Sequence, residues 1–109
     1  MKNAKAVKQF FHTLVGLQGG IALFPAGINE FLFTAGYPRI YEELEHIRSD
    51  LAELGLYDLL NEAVTQSEVL AREGKYDDAE MLILEAGRKL STASGVEDDL
   101  QRMYKSAND

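Results

Sequence analysis

Apolar residues return every three or four positions along most of this chain, the spacing of helices that bury one face. Over residues 4–18 they fall at Val7, Phe10, Phe11, Leu14 and Val15, while Lys5, Lys8, Gln9 and His12 take the opposite side. The pattern predicts an amphipathic helix ended by Gly19 and Gly20, because successive glycines lower the cost of leaving helical geometry. Residues 21–24 form a short apolar link cut off by Pro25, which disfavours helical backbone in the residue before it. Residues 27–35 read as a short helix that is apolar nearly all round, with Ile28, Phe31, Leu32 and Ala35 on one side and Phe33 on the other. Glu30 is its only charge, so the helix is expected to be mostly buried. Gly36 is expected to stop it, and Pro38 to open the next helix.

Residues 38–54 carry the clearest helical pattern, with Ile40, Tyr41, Leu44, Ile47, Leu51 and Leu54 on one face. Glu42, Glu43, Glu45, Asp50 and Glu53 decorate the remainder, and Arg48 lies three residues after Glu45. Gly55 breaks the run. The spacing resumes over residues 57–72 with Leu59, Leu60, Ala63, Val64 and Leu70, and residues 73–75 form a turn. Asp77 or Asp78 opens a further helix to about residue 90, burying Ala79, Leu82, Ile83, Ala86 and Leu90. Gly87 inside it costs about 1 kcal/mol relative to alanine. After a small-residue turn at 91–95, a last helix over 96–104 buries Val96, Leu100, Met103 and Tyr104. No strand alternation is sustained. The expected fold is all-α, a single domain over residues 1–109 built as a compact bundle of five to six helices.

Length fits that picture, since 109 residues suffice for one core and not for two. With no cysteines, disulfides and thiolate metal sites are excluded. The basic, then apolar N-terminus is interrupted by Lys8, Gln9, His12 and Thr13, and reads as an amphipathic helix of a cytoplasmic protein and not as a secretory signal. Charge changes the picture more. Residues 1–41 hold four bases against one acid, +3, whereas residues 42–109 hold 17 acids against seven bases, −10. The acidic part is unsuited to direct contact with nucleic-acid phosphates and suits a partner with a basic surface.

Candidate chemistry is sparse. His12 and His46 have no HExxH spacing. Glu43 and His46 form one ExxH, but a di-metal bundle needs a second copy, and none is present. No glycine loop ends in Gly-Lys-Ser/Thr. The expectation is a protein without catalytic, metal or cofactor residues.

Two stretches resemble known families. Residues 25–36, Pro-Ala-Gly-Ile-Asn-Glu-Phe-Leu-Phe-Thr-Ala-Gly, align with a pattern Asn-Gly-Gly-Phe-x-Gln-Phe-Phe-x-Asn-Ser-Gly, matching at Gly27, Phe31 and Gly36. Leu51 and Gly55 match a second pattern, Ala-Leu-x-x-Ile-Gly-Ala, with Leu54 in place of isoleucine. These patterns belong to a bacterial family of small acidic helical domains of unknown function that includes a DNA-mimic protein. Pro25, Ala26, Glu30 and Thr34 depart from polar or glycine positions of the first pattern. The resemblance implies an all-helical fold, frequent self-association, and carboxylates that imitate DNA phosphates. Glu42, Glu45, Glu53, Asp58 and Glu62 would make such a row if they share a face, since side chains on neighbouring helical turns stand about 5–6 Å apart. Gly74-Lys75-Tyr76-Asp77-Asp78-Ala79, then Ile83 and Ala86, with Ala63 and Leu70 before them, resembles a tetratricopeptide hairpin. A single such repeat cannot build a peptide-binding solenoid.

The expected function is therefore non-enzymatic binding, with Glu42, Glu45, Glu53, Asp58 and Glu62 facing a basic protein surface such as that of a DNA-binding protein or a toxin. The alternative is a structural or oligomerisation module, a homodimer in which some of Phe10, Phe11, Phe24, Phe31 and Phe33 bury a self-interface. A third class, a metal enzyme using Glu43 and His46, has the least support.

Overall fold

In the computed structural model, residues 4–23 and 30–94 are described. Their elements are helix α1, Ala4–Leu23, a π-helical turn at Leu32–Gly36, and helices α2, Tyr37–His46, α3, Arg48–Glu53, α4, Tyr57–Arg72, and α5, Tyr76–Ser94. The fold is an all-α bundle, with no strand among the described residues. The expected helix over 96–104 and the first residues of the one expected over 27–35 lie outside them.

The core follows the predicted periodicity, except that Val15 is 40% exposed and Leu82 half-buried. Val7, Phe10, Phe11, Leu14 and Leu17 are buried along α1, Leu60 and Val64 along α4, and Ala79, Ile83, Ala86 and Leu90 along α5. Helix α5 packs along both α1 and α4, while α2 reaches α1 and α4. The α1–α5 seam is tied at its edge by Gln18 Nε2 donating to Glu80 Oε1 at 2.8 Å. In the α4–α5 hairpin, two small residues bring the backbones close: Ser67 Oγ donates to the carbonyl of Ala79 at 3.0 Å. That proton is committed, so the Tyr37 hydroxyl, 2.7 Å away, is the donor in the Tyr37–Ser67 bond. One buried chain of hydrogen bonds thus pins α2 to the hairpin.

The structure corrects five local expectations. First, α1 does not stop at Gly19–Gly20 but runs on to Leu23. Ile21, one turn beyond Leu17, is buried in the core, and that burial outweighs the glycine penalty. Second, Gly36 does not end a helix; its backbone is right-handed helical, φ −62°, and the chain passes through it into α2. The π turn sits here because Pro38 would clash with the carbonyl four residues back in a regular α-helix. The wider turn, with Tyr37 N–H donating to Leu32 O, accommodates the ring. Third, the run at 38–54 is two helices, broken at Ile47 (φ −105°, ψ 19°). Fourth, Asp50 lies inward beside Leu51, at the margin of the buried stripe that Leu44, Ile47 and Leu51 continue. Asp50, expected on the surface, is 6% exposed. Fifth, α5 continues through the expected turn to Ser94, with Ser91 buried.

The two chain reversals are built alike. Leu51-Ala52-Glu53-Leu54-Gly55-Leu56-Tyr57-Asp58 and Leu70-Ala71-Arg72-Glu73-Gly74-Lys75-Tyr76-Asp77 share the pattern Leu-Ala-x-x-Gly-x-Tyr-Asp. In each, the glycine is left-handed, φ 72° at Gly55 and 82° at Gly74. Gly55 N–H donates to Ala52 O and Leu56 N–H to Leu51 O; Gly74 N–H donates to Ala71 O and Lys75 N–H to Leu70 O. Both are Schellman caps, and in both the next helix begins at the tyrosine.

Candidate partner-binding face

Glu42 and Glu45 stand on α2, Glu53 ends α3, and Asp58 and Glu62 lie in the first half of α4; all five are exposed. The breaks at Ile47 and Gly55 set them on three different helices, so the chain's path and not one helical face decides which are neighbours.

Glu45 joins the helices. Arg48 donates to Glu45 Oε1 at 2.9 Å, and the Tyr57 hydroxyl donates to Glu45 Oε2, also at 2.9 Å. The Arg48 guanidinium lies 4.7 Å above the Tyr57 ring centroid. Arg48, and after it the Tyr57 hydroxyl, hold the Glu45 carboxyl below the ordinary carboxylate range. The same bond raises the Arg48 pKa, with Asp58 adding a smaller push in that direction. Hydrogen bonding to Glu45 also raises the Tyr57 phenol. Glu45, Arg48, Tyr57 and Asp58 are thus one electrostatic neighbourhood across α2, α3 and α4. The expected Glu45–Arg48 pair is present, and it neutralises part of Glu45's charge.

Four of the five carboxylates line two depressions. Glu42 and Glu45 line one on α2, beside Pro38, Arg39, Glu43 and His46. Asp58 and Glu62 line another, a furrow between α4 and α5. Glu53 lines neither of the two. Glu62 accepts a 3.1 Å bond from Gln66 Nε2. Glu85 and Lys89 on α5 complete the furrow's charged rim. Sequence reasoning missed both, because only the antiparallel pairing of α4 with α5 brings them beside Asp58 and Glu62; the signal available was their four-residue spacing next to Leu82 and Ala86.

Other acids serve the fold. Glu68 accepts from Tyr41 Oη at 2.8 Å and from Arg72 Nε and Nη2 at 3.2 and 2.8 Å. Arg72 in turn lies 4.4 Å over the Phe33 ring, which stacks on Tyr37 with centroids 6.0 Å apart. Glu43 has one oxygen, Oε2, buried without a hydrogen bond among the described residues, and its ion-pair partner Arg39 is 4.0 Å away. Among the described residues, no three His, Cys, Asp or Glu side chains converge as metal ligands would.

The phenylalanines divide sharply. Phe10 and Phe11 are core, Phe33 is half-buried under Arg72, and Phe24 lies outside the described residues. Phe31 is 76% exposed, against the burial expected for its segment. It edges an apolar cleft whose wall includes Gly16 and Gly20 of α1 together with Leu17, Leu32 and Arg39. No helix among the described residues is long and apolar enough to cross a membrane.

No protein-family model, curated protein or solved structure matches this chain.

Proposed function

We propose that this protein is a non-enzymatic binding domain whose acidic face, carried by Glu42, Glu45, Glu53, Asp58 and Glu62, engages a basic protein surface. The observation that carries the reading is the exposure of all five carboxylates, while Glu68 and Asp50 are drawn into the fold. Complementary charge of this kind steers association and fixes register. A DNA-binding protein and a cationic toxin both offer such a surface, and the DNA-mimic resemblance favours the former.

Selection from a displayed random-peptide library at low salt tests it. The expected outcome is enrichment of Lys- and Arg-rich sequences whose binding falls steeply as salt rises. Combined charge reversal at Glu42, Glu45 and Glu53 should weaken that binding and flatten its salt dependence. Selected sequences with no basic bias would count against the proposal.

A second reading, self-association, is favoured by one observation: Phe31 stands exposed beside a cleft walled by Gly16 and Gly20. Multi-angle light scattering across a concentration series should then show a dimer that Phe31→Ser returns to monomer; a monomer at every concentration removes this reading.

A further inference from the structure

We propose that the furrow between α4 and α5 is the docking groove for an amphipathic basic helix of a protein partner. The proposal deepens the acidic-face reading and rests on it, because it names where on that face, and by what kind of segment, the contact is made.

The furrow has the two components such a segment needs. Its floor is apolar, formed by Leu59 and Ala63 of α4 and Leu82 and Ala86 of α5. Ala63 and Ala86 are the small side chains of that lining. Ala86 is already buried, whereas Leu59, Ala63 and Leu82 keep partial exposure that a partner would remove. The charged lining is net acidic: Asp58 and Glu62 stand on α4, and Glu85 on α5. Lys89 is the single cation among its described lining residues. A helix laying its apolar stripe on the floor would bring flanking Lys or Arg side chains against Glu62 and Glu85 from opposite sides. An acidic or uncharged helix would gain the same apolar contact but would leave these carboxylates repelled or desolvated. Charge complementarity therefore selects the occupant. The α2 depression has a like charge balance, Glu42, Glu43 and Glu45 with Arg39, but Ala35 and Pro38 are the apolar side chains among its described lining residues, and Glu45 is already engaged by Arg48.

The test uses the whole protein with two synthetic helical peptides of matched leucine stripe, one flanked by lysine and one by glutamate. Backbone amide shifts on titration locate the contact, and fluorescence anisotropy gives affinity. The expected result is binding of the lysine peptide alone, with shifts centred on Asp58, Glu62, Leu82 and Glu85. The pair Glu62→Lys and Glu85→Lys should weaken it about ten-fold or more, and Ala63→Trp, which fills the floor, should do the same. Circular dichroism melts confirm that each variant is folded; the two glutamates are surface positions, so the charge reversal remains informative if Ala63→Trp is not. Shifts confined to α2 around Glu42 and Glu45 would overturn the groove and leave the wider acidic-face reading standing. Groove shifts that appear with protein concentration alone would assign the furrow to a second copy and also overturn the proposal. No binding of either peptide would overturn the groove, whereas the wider reading falls only if the peptide library also yields no basic bias.

Discussion

Ser91 places a hydroxyl in the bundle interior, 2% exposed, and its Oγ has no hydrogen-bond partner among the described residues. A buried polar atom left unpaired costs about 1–3 kcal/mol, and alanine is also the better helix former. Ser91→Ala is therefore expected to stabilise the protein by about 1–2 kcal/mol, read as a rise in the urea midpoint without change in slope. Ser67 is the contrast, because its hydroxyl is fully employed between Tyr37 and Ala79. Burial pushes the Tyr37 phenol up to about 12, and burial followed by the Glu68 bond does the same for Tyr41. A phenol whose pKa is higher folded than unfolded adds stability below the unfolded value near 10, and loses it as pH rises through the folded value. Stability should thus fall between about pH 10 and 12, and Tyr37→Phe should flatten that fall in thermal melts taken across the window.

Helix boundaries show where periodicity stops being informative. The apolar repeat located α4 and the start of α5 because their limits coincide with local signals, the glycines at 55 and 74. It placed the end of α1 at Gly19, short of the true end at Leu23, because the residue that decides the matter, Ile21, stabilises the helix by burial in the core. The same holds at Gly36, where the response of the backbone to Pro38 was a π turn and not a stop. The acidic surface was legible for Glu42, Glu45, Glu53, Asp58 and Glu62. It was illegible at Asp50, which stands at the margin of the buried stripe and not opposite it, and at Glu85, which becomes a neighbour of Glu62 only through the hairpin. Gly19 supplies a direct check on α1. An added Cβ there meets nothing within 4 Å. In a continuous helix, Gly19→Ala should stabilise by about 1 kcal/mol, whereas at a helix stop it would be neutral or harmful. A chemical denaturation curve distinguishes the two.

At the scale of the whole molecule, charge is a burden as well as a tool. The net charge is −7, and the Arg48–Glu45 ion pair is exposed on both sides. Exposed pairs contribute little and are themselves screened, so self-repulsion among the remaining acids is the larger long-range electrostatic term. Added sodium chloride should raise the melting temperature, and the rise should shrink when Glu62 and Glu85 are both changed to glutamine. Calorimetry over a salt series measures both effects. A cationic partner of the kind proposed would relieve that repulsion, so its binding to the folded chain should also stabilise it.

The twin reversals at Gly55 and Gly74 have a stereochemical consequence. Both residues occupy backbone territory that suits the mirror-image amino acids, and an L methyl group at either would meet open space, so its penalty is conformational and not one of crowding. A chemically synthesised chain with D-alanine at the two positions should keep both caps while giving its unfolded ensemble fewer conformations to explore, a gain of about 0.4–1 kcal/mol at each. L-alanine at the same positions should lose stability instead, so handedness alone would set the sign of the change.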